Sequence, residues 1–400
     1  MNVLQLTYRV PYPATDGGAI GIYTITKGLN DNGCTVDLVA INTPKHSQPA
    51  DAMQHLVRNQ IDVFVDTSIS PFKLLTNLLF RSIPYNIERF VSKEVEKQLE
   101  TILTNNTYDF IHIDGAFVAY YIDKIRQFSQ APIIVRPHNI EYVIWERLAI
   151  NEKNPLKKWF FAHLAKRLKR FEADYYNKAD GIAAITPEDK NRLLNLNVKK
   201  PIDVVPVGVL FKSNSVQQSI QQEQDTIFSI SALDWMPNIE GLNWFLENVW
   251  PLLLQKKPTV QLHIAGKSTP DWLKNATYPN TTVHGFVDDA QAFKQHYQLM
   301  LVPLLSGGGM RVKIIEGLAE GKCIISTTIG AEGVAYTDKE NIVIADTPTQ
   351  WVDAICFYLE NEEARKNIEQ KAAQLAHQVY ENTIVTKGYV DLYNKLTSLK

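Results

Sequence analysis

The chain has 400 residues, of which 45% are hydrophobic and 21% charged, and its formal net charge is -2. A chain of this length exceeds what one hydrophobic core usually organises, so we expect two domains. The small net charge gives no general basis for binding nucleic acid, and any affinity for anions must therefore be local.

The N-terminus reads as a strand and lacks the basic and long apolar regions of a signal peptide. No apolar run reaches the length of a membrane span. The three cysteines, Cys34, Cys323 and Cys356, are far apart and have no metal-ligand spacing. We therefore predict a cytoplasmic protein whose cysteines are reduced core residues.

The first half alternates short apolar strands with longer amphipathic helices, which is typical of a parallel sheet covered on both faces. A strand at 3–6, a helix at 21–32 and a strand at 35–41 form a βαβ unit. Further strands are predicted at 110–113, 133–136, 181–185 and 203–205, and helices at 91–103 and 156–178. These elements predict one doubly wound domain over residues 1–208.

A polar stretch without apolar periodicity, from Ser213 to Gln224, predicts a linker at 209–225. A second series follows, with a helix at 241–254 and strands at 226–231, 261–265, 282–284, 299–303, 323–327 and 341–345. We predict a second doubly wound domain over 226–378. A closing amphipathic helix at 379–400 is expected to return toward the first domain.

The strongest functional signal is the segment Ser306-Gly-Gly-Gly-Met-Arg-Val-Lys-Ile-Ile-Glu316. Here a strand runs through three glycines into a helix, whose first N–H groups and dipole favour an anion. Arg311 and Lys313 add positive charge, and Glu316 lies one turn deeper, within reach of a sugar hydroxyl. The pattern predicts a phosphate or diphosphate site. An ordinary strand-to-helix connection with a solvated basic turn is the alternative.

Three positions of the first half are candidates for ligand contacts. Gly17 and Gly18 open the turn before the first long helix, where amides could hold a diphosphate or an acceptor, although a plain turn has the same sequence. His138 follows a strand at its carboxyl end, where open α/β sheets bind ligands, and histidine suits proton transfer at neutral pH. A satisfied loop histidine is the alternative. Asp114 occupies an equivalent strand end and could bind hydroxyls or cap a helix.

Residues 156–170 carry six cations and no acid, with Leu156, Phe160, Leu164 and Leu168 on one helical face. A basic amphipathic helix of this kind can lie on an anionic membrane surface. The same pattern occurs where the apolar stripe packs on a sheet and the basic face is solvated. Peripheral binding at the inner face of a membrane is thus one of two interpretations.

The domain pattern and a set of motifs resemble GT-B fold glycosyltransferases, and in particular family 4 of the retaining glycosyltransferases (glycosyl transferases group 1). The resemblance covers nearly the whole chain and is more specific in the second half. Its motifs are Tyr12-Pro13 with Gly17-Gly18, Arg136-Pro-His-Asn-Ile-Glu141, Val205-Pro-Val-Gly208, Leu233-Asp-Trp-Met-Pro-Asn238, Gly285-Phe-Val-Asp288, Gly308-Gly-Met-Arg-Val-Lys-Ile-Ile-Glu316 and Gly330-Ala-Glu-Gly333.

This resemblance implies an α/β, GT-B fold with two Rossmann-like domains facing a central cleft. It implies an enzyme that moves a sugar from a nucleotide-sugar donor, UDP- or GDP-linked, to a hydroxyl of a saccharide or lipid-linked saccharide. Retention at the anomeric carbon and a role in cell-surface polysaccharide or glycoconjugate synthesis are further implications. No cofactor is implied, and without an Asp-x-Asp pair in a suitable loop we expect no obligatory metal ion.

The site residues follow from the strand ends, the glycine turn and the resemblance together. The predicted catalytic residues are His138, Arg311, Lys313 and Glu316. The predicted donor-binding residues are Gly17, Gly18, Gly285, Phe286, Val287, Gly308, Gly309 and Met310. Asp114 and Asn139 are predicted to bind the acceptor.

Two departures from the family pattern keep alternatives open. Members often carry a glutamate eight residues before the position of Glu316, and here that position is Gly308, which leaves the donor sugar in doubt. No basic residue follows the strand at 226–231, where relatives often place a phosphate-binding arginine. The alternatives are a GT-B sugar-nucleotide epimerase or phosphorylase-like enzyme and a catalytically silent partner subunit. An oxidoreductase is a remote third, because the G-x-G-x-x-G spacing is not met.

Overall fold

The computed structural model describes residues 1–211 and 222–398. It divides into two compact units, the first made of Met1–Gly208, Gly308–Met310 and Asn382–Lys400, and the second of Val209–Gly307 and Arg311–Glu381. Most of the predicted linker at 209–225 lies outside the described residues. Each unit has its own parallel sheet with helices around it, so the predicted fold of two doubly wound Rossmann-like domains is confirmed.

The first unit contains a seven-stranded parallel sheet in the order β3-β2-β1-β4-β5-β6-β7. Its strands are β1 (Asn2–Thr7), β2 (Thr35–Asn42), β3 (Asn59–Phe64), β4 (Phe110–Asp114), β5 (Ile133–Arg136), β6 (Gly181–Ala184) and β7 (Ile202–Val204). Its helices are α1 (Gly17–Asp31), α2 (Pro71–Phe80), α3 (Tyr85–Glu88), α4 (Lys93–Asn105), α5 (Ile122–Ile125), α6 (Glu141–Asn151), α7 (Pro155–Tyr176) and α8 (Pro187–Asn195), with 3-10 turns at Pro44–His46 and Ala116–Tyr121.

The strands of this sheet are buried on both faces because alternate side chains enter two apolar layers. Leu4 and Leu6 of β1 pack in one layer with Ile111 of β4. Val3 and Phe110 lie in the other layer. Continuous apolar strands of this kind can persist only where helices cover both sides of the sheet, and this explains the alternation of strands and helices along the chain.

The second unit contains a six-stranded parallel sheet in the order β10-β9-β8-β11-β12-β13. Its strands are β8 (Thr226–Ile230), β9 (Gln261–Ala265), β10 (Thr281–Gly285), β11 (Leu299–Val302), β12 (Cys323–Ser326) and β13 (Val343–Ile344). Its helices are α9 (Met236–Asn248), α10 (Trp250–Lys256), α11 (Asp271–Lys274), α12 (Ala290–Gln295), α13 (Val312–Ala319), α14 (Pro348–Glu360) and α15 (Glu362–Leu375), followed by a π-helical turn at Ala376–Tyr380.

The last helix, α16 (Asn382–Ser398), belongs to the first unit. Its Tyr393 hydroxyl lies 2.9 Å from Nδ1 of His112 in β4. A Cβ atom on Gly28 of α1 would lie only 2.2 Å from Cγ2 of Thr386, so α1 and α16 pack this closely only because residue 28 is a glycine. The first unit is therefore built from both ends of the sequence.

Within the described residues, none of the helices combines the length and the hydropathy needed to cross a lipid bilayer. The three cysteines are buried as free thiols, as predicted. The same part of the chain contains no group of three or more His, Cys, Asp or Glu side chains that could hold a metal ion.

Candidate functional site

The order of the strands defines one switch point in each sheet, where successive connections run in opposite directions. In the first unit the switch point lies between β1 and β4, and in the second between β8 and β11. Open α/β sheets bind their ligands outside the carboxyl ends of the strands at this point. The residues that follow these four strands are therefore the first to consider in each unit.

In the first unit, the carboxyl ends of β4 and β5 bring Asp114, Arg136 and His138 into one cluster, which we call the triad. The Asp114 and Arg136 side chains are fully buried and form an ion pair of 3.1 Å between Oδ1 and Nη1. His138 Nε2 lies 2.5 Å from the same carboxylate oxygen and 3.2 Å from Arg136 Nη1. Gln5 of β1 donates to the second oxygen of Asp114 at 3.2 Å.

Electrostatics keep the triad carboxylate ionised and the imidazole neutral. Burial alone raises the pKa of Asp114, but His138 and Arg136 outweigh it and hold this pKa well below its usual range. Burial lowers the pKa of His138, although Asp114 opposes the shift. Because an ionised carboxylate only accepts hydrogen bonds, Nε2 of His138 is the nitrogen that donates to Asp114, and in the neutral imidazole Nδ1 is then the basic nitrogen.

Tyr8, which directly follows β1, forms one side of the triad. Its ring lies edge-on to the His138 ring with 5.3 Å between centroids, and burial raises the pKa of its hydroxyl. Neither Tyr8 nor Arg136 was predicted as a site residue, although both lie at carboxyl ends of predicted strands. The carboxylate of Asp114 pairs with Arg136 and His138 and does not cap a helix, so the capping alternative given for Asp114 is wrong.

The turn at Gly17 and Gly18 forms the start of α1. Asp16 is the N-cap of α1, and its carboxylate accepts hydrogen bonds from the amides of Gly18 and Ala19 at 3.1 and 3.2 Å. Arg9 binds the same carboxylate at 2.8 Å. The Gly18 amide thus already donates to an internal carboxylate, and the donor contacts of Gly17 and Gly18 stay predictions.

Asn139 lies between β5 and α6, next to His138, and its contact with an acceptor stays a prediction. The helix that follows is capped from α7, since the Glu172 carboxylate accepts hydrogen bonds from the amides of Glu141 and Tyr142 at 2.8 and 3.0 Å. Burial raises the pKa of Glu141 to about 7 and that of Glu172 to about 8. This pair of buried carboxyl groups fixes the start of α6 behind the His138 loop.

The predicted strand, glycine turn and helix are present as β11, residues 306–311 and α13, of which β11 and α13 belong to the second unit. Gly307 and Gly309 have φ angles of 106° and 73°, in the left-handed region that favours glycine. Arg311 is the N-cap residue of α13. The turn follows the carboxyl end of β11, at the switch point of its sheet. Gly308 and Met310 lie in the same turn, and their donor contacts stay predictions.

The two cations of the glycine turn lie beside Trp235 and Asn238. Arg311 is 5% exposed, and its guanidinium lies 5.4 Å from the centroid of the Trp235 ring. Lys313 Nζ donates to Oδ1 of Asn238 in α9 at 2.9 Å. Burial, together with the nearby charge of Arg311, lowers the pKa of Lys313 to about 7. A half-buried ammonium beside a guanidinium and a neutral amide is an electrostatic environment that an anion would stabilise.

Glu316 lies in the middle of α13, where burial raises its pKa and Lys294 partly opposes that shift. A second carboxylate lies beside the turn, because Ser306 donates a hydrogen bond from its hydroxyl to Glu240 of α9. Glu240 was not predicted as a site residue. The only sequence signal for it is its place in the helix that follows β8, the other strand at the switch point.

The predicted donor-binding segment Gly285, Phe286 and Val287 follows β10, at the edge of the second sheet. Gly285 has a φ angle of 71°, and the Phe286 side chain is 62% exposed. The next helix, α12, is capped by Asp289, whose carboxylate accepts hydrogen bonds from the amides of Gln291 and Ala292. The donor contacts of this segment stay predictions.

Comparison with known proteins agrees with this architecture. Residues 15–210 match the family Glycosyltransferase Family 4, and residues 224–361 match Glycosyl transferases group 1. The chain is 23% identical over 390 residues to an uncharacterized 44.6 kDa protein in the cps region of Klebsiella pneumoniae, covering 95% of this chain and 97% of that protein.

Solved structures with a similar fold include sucrose-phosphate synthase from Thermosynechococcus elongatus, with a TM-score of 0.72 and 15% identity over the full length of both chains. HepE from Anabaena in complex with UDP has a TM-score of 0.65 and 13% identity, covering 99% of this chain and 100% of that chain. These matches, the two parallel sheets and the glycine turn after β11 show that the chain belongs to the GT-B glycosyltransferases of the family 4, or group 1, type.

Proposed function

We propose that the protein transfers a sugar, with retention, from a UDP- or GDP-linked donor to a hydroxyl of a saccharide or lipid-linked saccharide, in the synthesis of a cell-surface polysaccharide or glycoconjugate. The second unit binds the nucleotide. The first unit supplies the acceptor contacts through Asp114 and Asn139 and a neutral imidazole through His138. The protein works in the cytoplasm, at the inner face of the membrane when its acceptor is lipid-linked.

One observation carries the nucleotide part of this proposal: the turn at Gly307–Gly309 leads into α13, where the half-buried Lys313 donates a hydrogen bond to a neutral amide. The lowered pKa of Lys313 reports how unfavourable an isolated ammonium is there. A diphosphate would supply the missing negative charge, and its β-phosphate leaves with increased charge during transfer. Lys313 and Arg311 would then stabilise the leaving group without a divalent ion.

Glu316 would hold the nucleotide ribose by accepting a hydrogen bond from a hydroxyl, one turn deeper in the same helix. The backbone at Gly285 and Val287 would contact the base, beside the Phe286 ring. The triad plays a different part: Nδ1 of His138 is the basic nitrogen, and Asp114 fixes the orientation of the ring. His138 would hold or accept a proton at the reacting sugar or at the acceptor hydroxyl.

The relatives support the substrate classes. HepE has been solved with UDP and with UDP-glucose, and a Staphylococcus aureus TarM variant with UDP, α-GlcNAc-glycerol and the saccharide fondaparinux. The relative in the cps region of Klebsiella pneumoniae supports a role in capsule-type polysaccharide synthesis. We carry these substrate classes to this chain as part of the proposal.

The nucleotide site is tested by calorimetry with UDP, GDP, ADP and the corresponding nucleosides. Arg311→Ala should weaken the diphosphate about 10- to 100-fold and leave the nucleoside nearly unchanged, because a charged hydrogen bond is worth roughly 1.5 to 3 kcal/mol. Lys274→Ala is a matched control, since that side chain is 54% exposed in the same unit. Equal losses for nucleoside and diphosphate would remove Arg311 from the phosphate site.

The transfer reaction is tested with the nucleotide sugars that stabilise the protein, in the presence of a chelator and with the anomeric configuration of the product determined by NMR. A ligand at 100 times its dissociation constant raises the unfolding free energy by about 2.7 kcal/mol, which a thermal-shift screen detects. Inversion of configuration, or a strict metal requirement, would contradict the corresponding part of the proposal.

One observation favours a second candidate, a catalytically silent partner subunit, because Gly308 replaces the first glutamate of the family pattern. Nucleotide binding without transfer to any acceptor would support this candidate. Release of an epimerised nucleotide sugar would instead support the epimerase alternative.

A further inference from the structure

Helix α2 (Pro71–Phe80) places its apolar residues in solvent. Phe72, Leu75, Leu79 and Phe80 are 75%, 55%, 64% and 80% exposed, and Ile69 before the helix is 69% exposed. Phe72, Leu75 and Leu79 recur at the spacing of one helical face, with Phe80 beside them. The α2 patch, defined as these five residues, is a contiguous group of large apolar side chains, which is uncommon on the surface of a soluble monomer.

Helix α2 is attached to the first unit through a polar contact. Its buried residue is Asn77, whose Nδ2 donates to Ile83 O at 2.9 Å and to Glu88 Oε2 at 2.6 Å. Arg167 of α7 donates to Asn77 Oδ1 at 2.8 Å and to Arg81 O at 2.6 Å. The one fully buried residue of α2 is therefore polar, Leu74 and Leu78 are partly buried, and the other four large apolar side chains are exposed to solvent. Packing of the core does not explain this orientation.

The surroundings of the α2 patch are basic. Residues 67–87 contain Lys73 and Arg81 and no acid, and residues 155–171 contain six cations and no acid. Lys166 and Arg170, on either side of Arg167, are exposed. Three acidic residues lie at the margin of this surface: Glu88 is 3.4 Å from Arg81, Asp174 is 3.9 Å from Arg170, and the exposed Asp66 interacts with Lys73. The apolar face therefore lies among cations that would meet an anionic surface.

The structure also narrows the role predicted for residues 156–170. Leu164 and Leu168 of α7 are buried in the core of the first unit, so the apolar stripe of this helix mostly packs against the protein. Leu156 and Trp159, at the start of α7, remain 79% and 58% exposed. The cations of α7 are available to a surface, but its apolar residues largely are not. The apolar side chains of a membrane contact would therefore come mainly from the α2 patch.

We propose that α2 lies flat on an anionic lipid bilayer, with the α2 patch inserted among the acyl chains and the cations of α2 and α7 at the headgroups. A ten-residue helix is about 15 Å long, too short to cross a membrane but sufficient to lie within its interface. Anionic headgroups attract a basic surface of this kind. A protein partner fits less well, because the cores of protein interfaces are depleted of lysine.

This inference deepens the proposed function, because it names the surface on which a lipid-linked acceptor would be presented. It rests on the proposed function only for that acceptor, whereas vesicle binding itself requires no transfer. The two can therefore fail separately: vesicle binding is measured by sedimentation and nucleoside diphosphate affinity by calorimetry on the same preparations.

The test uses the full chain with vesicles of equal parts phosphatidylglycerol and phosphatidylcholine, and with phosphatidylcholine vesicles alone. The wild type should sediment with the anionic vesicles at low salt. The triple variant Phe72→Ser, Leu79→Ser, Phe80→Ser should bind at least about 100-fold more weakly, because large apolar side chains dominate partitioning. Its nucleoside diphosphate affinity should be unchanged. The matched control is Leu252→Ser with Phe357→Ser, which removes half-exposed apolar residues from the second unit and should sediment as the wild type does.

Insertion is read directly from a fluorophore attached through Phe80→Cys, since Cys34, Cys323 and Cys356 are buried. Its emission should shift to the blue with anionic vesicles, whereas the same fluorophore attached through Phe357→Cys should not respond. Failure of the wild type to sediment, or a Phe80→Cys probe that stays in water, would overturn the proposal. It would also be overturned if the triple variant converted a dimer into a monomer, because the patch would then be a contact between copies of this chain.

Discussion

The two candidate clusters differ in how their charges are balanced. In the first unit, the buried Asp114 carboxylate is paired with the buried Arg136 guanidinium and with His138, so its charge is compensated within the triad. In the second unit, Lys313 contacts the neutral Asn238, and Arg311 lies over a tryptophan ring. A balanced cluster holds its geometry without a ligand, whereas the Lys313 ammonium, which donates to a neutral amide, would be stabilised by an anion. The difference suggests that the first cluster positions groups for the reaction and the second binds the donor.

The largest expected effect is on turnover. His138→Ala should lower kcat about 10² to 10⁴-fold, because proton transfer or electrostatic help of this kind contributes by that factor. Nucleoside diphosphate affinity should remain within error of the wild type. The assignment of different roles to the two clusters would be wrong if kcat and nucleoside diphosphate affinity both fell, or if kcat changed by less than about twofold. Single-turnover rates with a saturating donor, with His163→Ala as the control histidine variant, separate these outcomes.

The balance of the triad predicts a large effect on stability. Arg136→Met should lower the free energy of unfolding by about 3 to 5 kcal/mol, because Asp114 is left as an uncompensated buried charge. The double variant Asp114→Asn, Arg136→Met should regain part of this loss. Chemical denaturation measures both. The control Asp353→Asn breaks the exposed pair with Lys256 and should leave the unfolding midpoint unchanged. A mild Arg136→Met phenotype would show that the triad is not held by its ion pair.

A third prediction concerns Glu316, which lies in the cluster that we expect to bind the donor. Glu316→Gln should weaken nucleoside diphosphate binding about 10- to 100-fold by losing a charged hydrogen bond to a ribose hydroxyl. A 2′-deoxy or 3′-deoxy nucleoside diphosphate should bind the wild type with a similar loss and the variant with little further loss. Calorimetry with both ligands gives the coupling between the carboxylate and the hydroxyl. If the two losses simply add, Glu316 does not contact the ribose.

The smallest expected effect is on pH dependence. The pKa of Lys313 is lowered to about 7, so its charge is present below that pH and is lost as the pH rises through it. Diphosphate affinity should therefore fall by up to about tenfold between pH 7 and pH 9. Lys313→Arg keeps its charge between pH 7 and pH 9, so its diphosphate affinity should stay nearly constant. Any change that remains in the variant measures ionisation of the ligand and is subtracted from the wild-type profile. Parallel profiles for wild type and variant would show that the Lys313 charge does not contribute.

The strands were largely predictable because their side chains are apolar on both faces. The predicted strands at 133–136 and 261–265 match β5 and β9, and most others differ by one or two residues. Strand β3 was missed because Asn59–Phe64 lies at the edge of the sheet and carries polar residues. Helix α1 begins four residues earlier than predicted, since the Asp16 cap permits a start at glycines. The predicted helix at 241–254 is two helices, because Pro251 lacks the N–H that a continuous helix needs.

The candidate site could be predicted where its functional side chains are close together in the sequence. The turn at Gly307–Gly309, with Arg311, Lys313 and Glu316, could be identified from consecutive residues. The triad could not be predicted as a unit, because Asp114 and Arg136 belong to different strands and meet only through the register of β4 and β5. The occupation of the Gly18 amide by Asp16 was a local feature that the sequence did allow, since aspartate is a preferred N-cap residue.

The membership of α16 in the first unit has a consequence for biosynthesis. His112 in the central strand β4 gains its hydroxyl contact only after Tyr393 of α16 has been synthesised. The face of α1 around Gly28 likewise stays open until Thr386 of α16 packs against it. During translation the second unit can therefore acquire all of its own sheet and helices while the first still has an uncovered apolar layer. We infer that the apolar layer of the first unit is completed only after residues 382–398 have been synthesised, which makes this unit the slower and more aggregation-exposed part of a nascent chain.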